Sequence, residues 1–225
     1  MISSTSSASE YRPKNFEEMI GQDAIVKTLS NAIKKDNIPQ ALLFCGPRGV
    51  GKTSCARILA KTINNLEKDF EYNIFELDAA SNNSVDDIRN ISDQVRIPPQ
   101  IGEYKVHIID EVHMLSKQAF NALLKTLEEP PEYLKFIFAT TEIKKIPITV
   151  VSRCQRFDLS RIKSSELFNY LKKIKDKEKG QITDDALRLI VKISEGSVRD
   201  ALSLLDRGLL TLDNDKELDL STRQA

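Results

Sequence analysis

One octapeptide constrains the fold of this 225-residue chain more than any other stretch. GPRGVGKT, residues 46–53, follows the short apolar run ALLFC (41–45) and precedes a segment of helical period at 52–64. It matches G-x-x-x-x-G-K-[ST] in the context where that pattern has a mechanism: a strand, a glycine-rich turn, then a helix. Glycines let backbone N–H groups wrap phosphate oxygens, and the helix N-terminus adds partial positive charge. Gly46, Gly49, Val50 and Gly51 would line the phosphates. Lys52 would reach the β- and γ-phosphates, Thr53 would ligate Mg²⁺, and Ser54 would follow in the first helical turn. Cys45 and Cys55 flank the loop and read as small buried side chains rather than ligands.

The rest of the chain supplies the sheet that such a loop needs. A helix is predicted at about 22–36, with Ile25, Leu29 and Ile33 on one face. NIFELD (73–78), KVHIID (105–110), KFIFAT (135–140) and CQRFDL (154–159) read as strands. Helices are expected at 83–95 and at 117–129, the latter ended by Pro130 and Pro131. Strands alternating with helices predict a parallel sheet covered on both faces, and the near-continuous apolar character of ALLF and VHII agrees. Residues 11–21 read as an extended arm, and 1–10, MISSTSSASE, as a flexible lead-in without the apolar segment of a secretory signal. From about 161 only helical stretches follow, at about 163–176, 184–194 and 198–210. The expected organisation is a nucleotide-binding core at 1–160, a small all-helical domain at 161–210 and an outgoing linker at 211–225.

Composition narrows the function. Lys plus Arg and Asp plus Glu are 33 each, so the formal net charge is +0. That excludes a uniformly basic body coating nucleic acid or membrane. With 40% hydrophobic residues and no apolar run near the roughly 18 residues of a membrane helix, the chain reads as soluble and globular. The three cysteines, Cys45, Cys55 and Cys154, form no CxxC pair. Neither a disulfide framework nor a zinc site is expected, and a reducing, cytoplasmic compartment fits best.

A second motif complements the phosphate loop. VHIIDE (106–111) ends a buried strand with two acids that point different ways. Asp110 can hold the Mg²⁺ shell while Glu111 orients and activates the attacking water. His113 reads as structural or surface, since no further ligand lies at metal spacing. Thr140 and Thr141, after the strand KFIFA, could place a hydroxyl on the water or the γ-phosphate. SVRD (197–200) fits a capping box, which puts Arg199 in a first helical turn against the dipole. That misplacement is a hint of function or of a salt bridge to Asp200 or a neighbour; both stay open here. From its own residues Arg153, in SRC, is an ordinary surface arginine.

Together YRPKNFEEMIGQ, GPRGVGKT, ELDAASNNSVDDIRN, IIDEVHMLSKQAFNALLKTLEEPP, FATTE, SRCQRFDL and EGSVRDALSLLD resemble one family closely, the gamma/tau clamp-loader ATPases of bacterial DNA polymerase III. The resemblance covers about residues 11–210. It implies an α/β fold, a P-loop AAA+ core with a five-stranded parallel sheet, followed by a three-helix lid. It implies ATP and Mg²⁺ as cofactors. It assigns Thr141, with Thr140 beside it, to a first sensor, Arg153 to an arginine finger acting on ATP in a neighbouring subunit, and Arg199 to a second sensor on the lid. Tyr11, Arg12, Pro13 and Ile20 match the arm that cups the adenine. The implied partners are the other clamp-loader subunits, the sliding clamp and primed DNA, with no membrane.

Three departures qualify what the resemblance implies. Most members carry four zinc-binding cysteines between the phosphate-loop helix and the second strand; here that stretch is TINNLEKDFEYN, so no zinc is expected. In the DNA-facing turn after DAAS the residues are Asn82, Asn83 and Ser84, leaving Arg89 as the candidate for local backbone contact. The chain stops at Ala225, where a collar domain would begin, so the full-length assembly is expected to be an oligomer and this piece alone a monomer. The alternatives to a hydrolysing subunit are a non-hydrolysing scaffold subunit of the same loader and a related AAA+ DNA-remodelling motor.

Overall fold

The computed structural model describes residues 11–64 and 73–210. The lead-in at 1–10 and the linker at 211–225 lie outside the described residues. The chain divides into two compact units. One comprises Ala24–Gly46 and Lys52–Leu159; the other takes in the arm up to Asp23, Pro47–Gly51 and the residues from Ser160 on.

The first unit is a parallel five-stranded sheet of order β2-β3-β4-β1-β5, with β1 Ala41–Cys45, β2 Ile74–Asp78, β3 Lys105–Asp110, β4 Leu134–Thr140 and β5 Gln155–Asp158. Helix α1 Asp23–Lys34 precedes β1, and α2 Lys52–Ile63, α3 Val85–Val95, α4 Lys117–Glu128 and the short α5 Ile148–Val151 connect the strands. The central strands β1 and β4 are buried at every position, which is why β1 reads as an unbroken apolar run and β4 as one broken only by Lys135 and the closing Thr140. The edge strand β5 buries only Phe157, hence its alternating sequence. Leu43, Ile109, Phe136 and Phe138 share one core with Ile88 and Ile91 of α3 and Phe120 and Leu123 of α4. The alternate positions Leu42, Phe44, Ile108 and Ile137, equally buried, face the opposite way.

Caps set several boundaries. Ser84 and Asp87 form a reciprocal capping box that starts α3, and Ser116 caps α4 through the Ala119 N–H. Two lysines at strand starts are buried. Lys105 Nζ donates to the carbonyls of Gln94 and Ile97, at 2.7 and 2.6 Å, and so satisfies the end of α3. Lys135 Nζ donates to the Ile38 carbonyl at 2.8 Å. Burial holds both ammonium groups below the usual lysine range.

The second unit contains three helices, α6 Ser164–Lys177, α7 Asp184–Ser194 and α8 Val198–Leu210. Leu167, Leu171 and Ile174 of α6 meet Leu187, Ile190 and Val191 of α7 and Ala201, Leu202 and Leu205 of α8. The arm is not wholly extended: Phe16–Glu18 form a 3-10 turn capped by Asn15. Further 3-10 turns at Val112–Met114 and Ile143–Lys145, like α5, are too short to leave a periodic signal in sequence. No helix among the described residues is long and apolar enough to cross a membrane.

Candidate active site

In the sheet unit, the chemistry gathers where β1, β3 and β4 end and α2 begins. Lys52 is buried and its Nζ donates to the Gly46 carbonyl at 2.9 Å. Burial lowers its pKa; the Glu111 and Asp110 carboxylates pull it back up. The Thr53 hydroxyl donates to Asp110 Oδ2 at 2.6 Å, and the Glu111 N–H donates to Asp110 Oδ1 at 2.9 Å. Both oxygens of Asp110 are thereby oriented. A hydroxyl and a carboxylate in contact are hard oxygen donors, which suits Mg²⁺ bound through one or two protein ligands and phosphate oxygens.

Glu111 adopts the left-handed conformation, φ 46°, and its Oε2 accepts from the Thr141 N–H at 3.3 Å and the Thr141 hydroxyl at 3.1 Å. Such a φ on a non-glycine residue is uncommon and clusters at functional sites. Neighbouring β3 and β4 bring these two residues together, Ile109 pairing with Phe138. The two threonines differ: Thr140 is fully buried, while Thr141 is half-buried and holds the carboxylate.

Arg153 lies apart from this cluster. Its Nη1 donates to the Thr149 carbonyl at 2.7 Å and its Nη2 pairs with Glu128 at 2.9 Å. None of its recorded partners among the described residues belongs to the phosphate loop or to the end of β3. Arg89 is exposed and pairs with Asp86 at 3.1 Å, while Asn82 folds back on the Asp78 carbonyl. Among the described residues no group of three or more His, Cys, Asp or Glu is arranged to hold a metal ion. Burial pushes the Cys45 thiol up to about 11 and the Cys55 and Cys154 thiols up to about 12, which favours the thiol over the nucleophilic thiolate.

In the helical unit, the middle of the phosphate loop has its own anchors. The Gly49 carbonyl accepts from the Val198 N–H at 3.0 Å and the Arg199 N–H at 3.4 Å, so the first turn of α8 is tied to the loop. A Cβ on Gly49 would stand 2.0 Å from Ser197 Oγ. Ser197 caps α8 through the Asp200 N–H at 3.3 Å. Among the described residues no ion pair joins Arg199 to Asp200 or to any other acid. Val50 is buried and its carbonyl accepts from Gln22 Nε2 at 3.4 Å; Gly51 and Ser54 are half-buried. Tyr11 and Ile20 pack on the helical core, where the Tyr170 hydroxyl donates to the Tyr11 carbonyl at 3.1 Å. Arg12 is exposed and Pro13 half-buried.

Sequence alone leaves two contributors, Gln22 and Arg57, unassigned and reads a third, His113, as structural or surface. Gln22 braces Val50 and, at 2.8 Å, the Ser160 carbonyl. Arg57, one helical turn beyond Thr53, forms a two-pronged pair with Glu76 of β2 at 2.6 and 2.5 Å. His113 lies against Thr140 and Glu111.

Comparison with known proteins places this geometry. Residues 21–163 match the family model described as DNA polymerase III, delta subunit, and 166–210 match the ATPase lid domain of the DNA polymerase III clamp-loader subunit. The chain is 49% identical to DNA polymerase III subunit tau of Bacillus subtilis, an alignment covering 88% of this chain and 38% of that protein. It is 43% identical to DNA polymerase III subunit gamma of Buchnera aphidicola, covering 90% of this chain and 60% of that one. It therefore spans about two fifths to three fifths of the length of these relatives. In structure it is similar to the RuvB Holliday junction branch migration motor of Thermotoga maritima, with TM-score 0.69, 27% identity, and coverage of 88% of this chain and 64% of that one. The fold is a P-loop AAA+ core followed by a helical lid, and the chain belongs to the gamma/tau family of DNA polymerase III clamp-loader subunits.

Proposed function

We propose that this chain is an ATP-hydrolysing subunit of the clamp loader, using ATP binding and hydrolysis to load a sliding clamp onto primed DNA. The contact of Thr53 with Asp110 carries this proposal, because it sets the metal-binding oxygens beside a carboxylate, Glu111, already oriented by Thr141. Gly46, Gly49, Val50, Gly51 and Ser54 would wrap the phosphates with their amides, and Lys52 would meet the β- and γ-phosphates. Thr53 and Asp110 would hold Mg²⁺, which when bound neutralises phosphate charge. Glu111 would take the proton of the attacking water, and Thr141 would sense the γ-phosphate. Arg153 would act in trans on a neighbour's ATP and Arg199 would contact the γ-phosphate from the lid. Tyr11, Arg12, Pro13 and Ile20 would receive the adenine. Arg89 would supply a local contact to the DNA backbone. The partners are then the other loader subunits, the clamp and primed DNA, in the cytoplasm.

The test is ATP turnover by the full-length protein assembled with the other loader subunits. Lys52→Ala is expected to abolish nucleotide binding. Glu111→Gln is expected to keep binding and to lower turnover by about 100-fold or more, the usual contribution of a general base. Wild-type turnover in both variants would show the chain to be a scaffold. A DNA-remodelling motor would show ATPase activity without ATP-dependent association with a sliding clamp.

A further inference from the structure

The chain has two histidines, both with buried side chains, and they differ in one respect. His107, on β3, stacks on Phe75 at 5.0 Å between centroids, and its Nε2 has no hydrogen-bond partner among the described residues. It is a ring that packs. His113, in the turn Val112–Met114, has polar neighbours at both nitrogens. Its Nδ1 lies 3.0 Å from Thr140 Oγ1 and 3.4 Å from Glu111 Oε2, and its Nε2 lies 3.5 Å from Glu142 Oε1. The side chain is 5% exposed.

The neighbours of this ring are the residues that orient the carboxylate. Thr140 Oγ1 also accepts from the Glu142 N–H at 3.0 Å, which fixes the turn that leaves β4. The next residue, Thr141, holds Glu111 Oε2 through its N–H and its hydroxyl. Both Thr141 donors grip Oε2, and His113 Nδ1, only two residues along the chain from Glu111, stands beside that same oxygen. One imidazole thus links Glu111, just after β3, to Thr140 and Glu142 at and just after the end of β4. A base effective in water activation has to be held to within about 0.5 Å of its working place, which calls for just such a supporting contact.

We propose that His113 is a positioning residue: hydrogen-bonded to Thr140, its ring holds the Glu111 carboxylate against Thr141. This role rests on Glu111 being the base that activates water. The polar neighbours of His113 are Thr140, Glu111 and Glu142. Its effect is on the orientation of the base, so it acts on the chemical step and not on ATP binding.

The experiment uses the full-length protein in the assembled loader, with steady-state turnover, fluorescent ATP-analogue binding and thermal unfolding measured for each variant. His113→Leu keeps the volume and removes the nitrogens. Turnover at saturating ATP is expected to fall about tenfold, while KM and nucleotide affinity stay within about twofold of wild type, the signature of a lost transition-state interaction. His113→Asn sets an amide atom near the place of Nδ1 and is expected to recover turnover to within about threefold of wild type. Thr140→Val removes the partner of the ring and should slow turnover by a similar factor. The double variant His113→Leu/Thr140→Val should be no slower than the slower single, since both delete one interaction. Unchanged turnover in His113→Leu, or strictly multiplicative effects in the double variant, would overturn the proposal. So would a fall in affinity and unfolding temperature that matches the fall in turnover and is not rescued by Asn. Should His113→Leu fail to fold, Thr140→Val and His113→Asn decide: wild-type turnover in Thr140→Val overturns the proposal. Glu111→Gln, run alongside, separates the two failures. If it leaves turnover intact the base is misassigned; if it abolishes turnover while His113→Leu does not, only the role of His113 fails.

Discussion

At residue 46 the backbone, and not a side chain, decides what can stand there. Gly46 has φ 150°, and a Cβ would lie 2.3 Å from the Leu159 carbonyl oxygen, a backbone atom that cannot rotate away. Gly46→Ala is therefore expected to lose about 2 kcal/mol or more of stability, from the strained φ and the forced separation of β1 from the chain beyond β5. Urea unfolding of the purified variant measures it, and a midpoint equal to wild type would show that the loop has a second conformation. The glycines, Lys52, Thr53, Asp110 and Glu111 were legible because their spacing along the chain is the chemistry. His113 was not. Its meaning depends on Thr140, 27 residues away, being on the neighbouring strand. Nor does any single-chain signal give Arg153 a role; its partners here, Thr149 and Glu128, are those of a surface arginine.

Strands and long helices were readable wherever burial is uniform along the element. β1 is apolar throughout and β4 is apolar but for Lys135 and Thr140, because sheet neighbours flank them and both faces are covered. The short turns at 112–114 and 143–145 were not readable, since three residues carry no period. β3 also conceals a pH dependence. Burial, followed by the positive charge of Lys105, lowers the pKa of His107 to about 4, against an ordinary value near 6.5. The neutral form is then favoured in the folded state, and the unfolded chain binds the proton first. Stability from this group is complete above about pH 6.5 and is lost as pH falls through 4, by about 3 kcal/mol in total. His107→Leu removes the titrating group and leaves no orphaned partner, because Nε2 has none. Its urea midpoint is expected to stay near wild type at pH 7 and to exceed it by the equivalent of about 2 kcal/mol at pH 4.5. Parallel curves for the two proteins over that range would count against a buried neutral imidazole.

On the scale of the whole chain, the zero net charge of these 225 residues gives them no general attraction for nucleic acid, so any contact they make with DNA has to be local. Arg153 is where assembly can be tested. Its guanidinium is half-exposed, tied to Glu128 and the Thr149 carbonyl, and remote in its contacts from Lys52 and Glu111. If it completes a neighbour's site, two crippled chains should complement each other. A chain with Lys52→Ala cannot bind ATP but still carries the finger; a chain with Arg153→Ala binds ATP but lacks one. Each assembly made from a single variant should hydrolyse ATP at least about 100-fold more slowly than wild type, the order expected for loss of a transition-state cation. Assemblies formed from an equal mixture should recover a substantial fraction of turnover, because some interfaces pair an intact ATP site with an intact finger. A finger acting within its own chain allows no such recovery, since every chain in the mixture then carries a lesion. Measuring ATP turnover across mixing ratios distinguishes the two: a maximum at intermediate ratios places Arg153 in trans, and a flat line at the level of the single variants places it in cis.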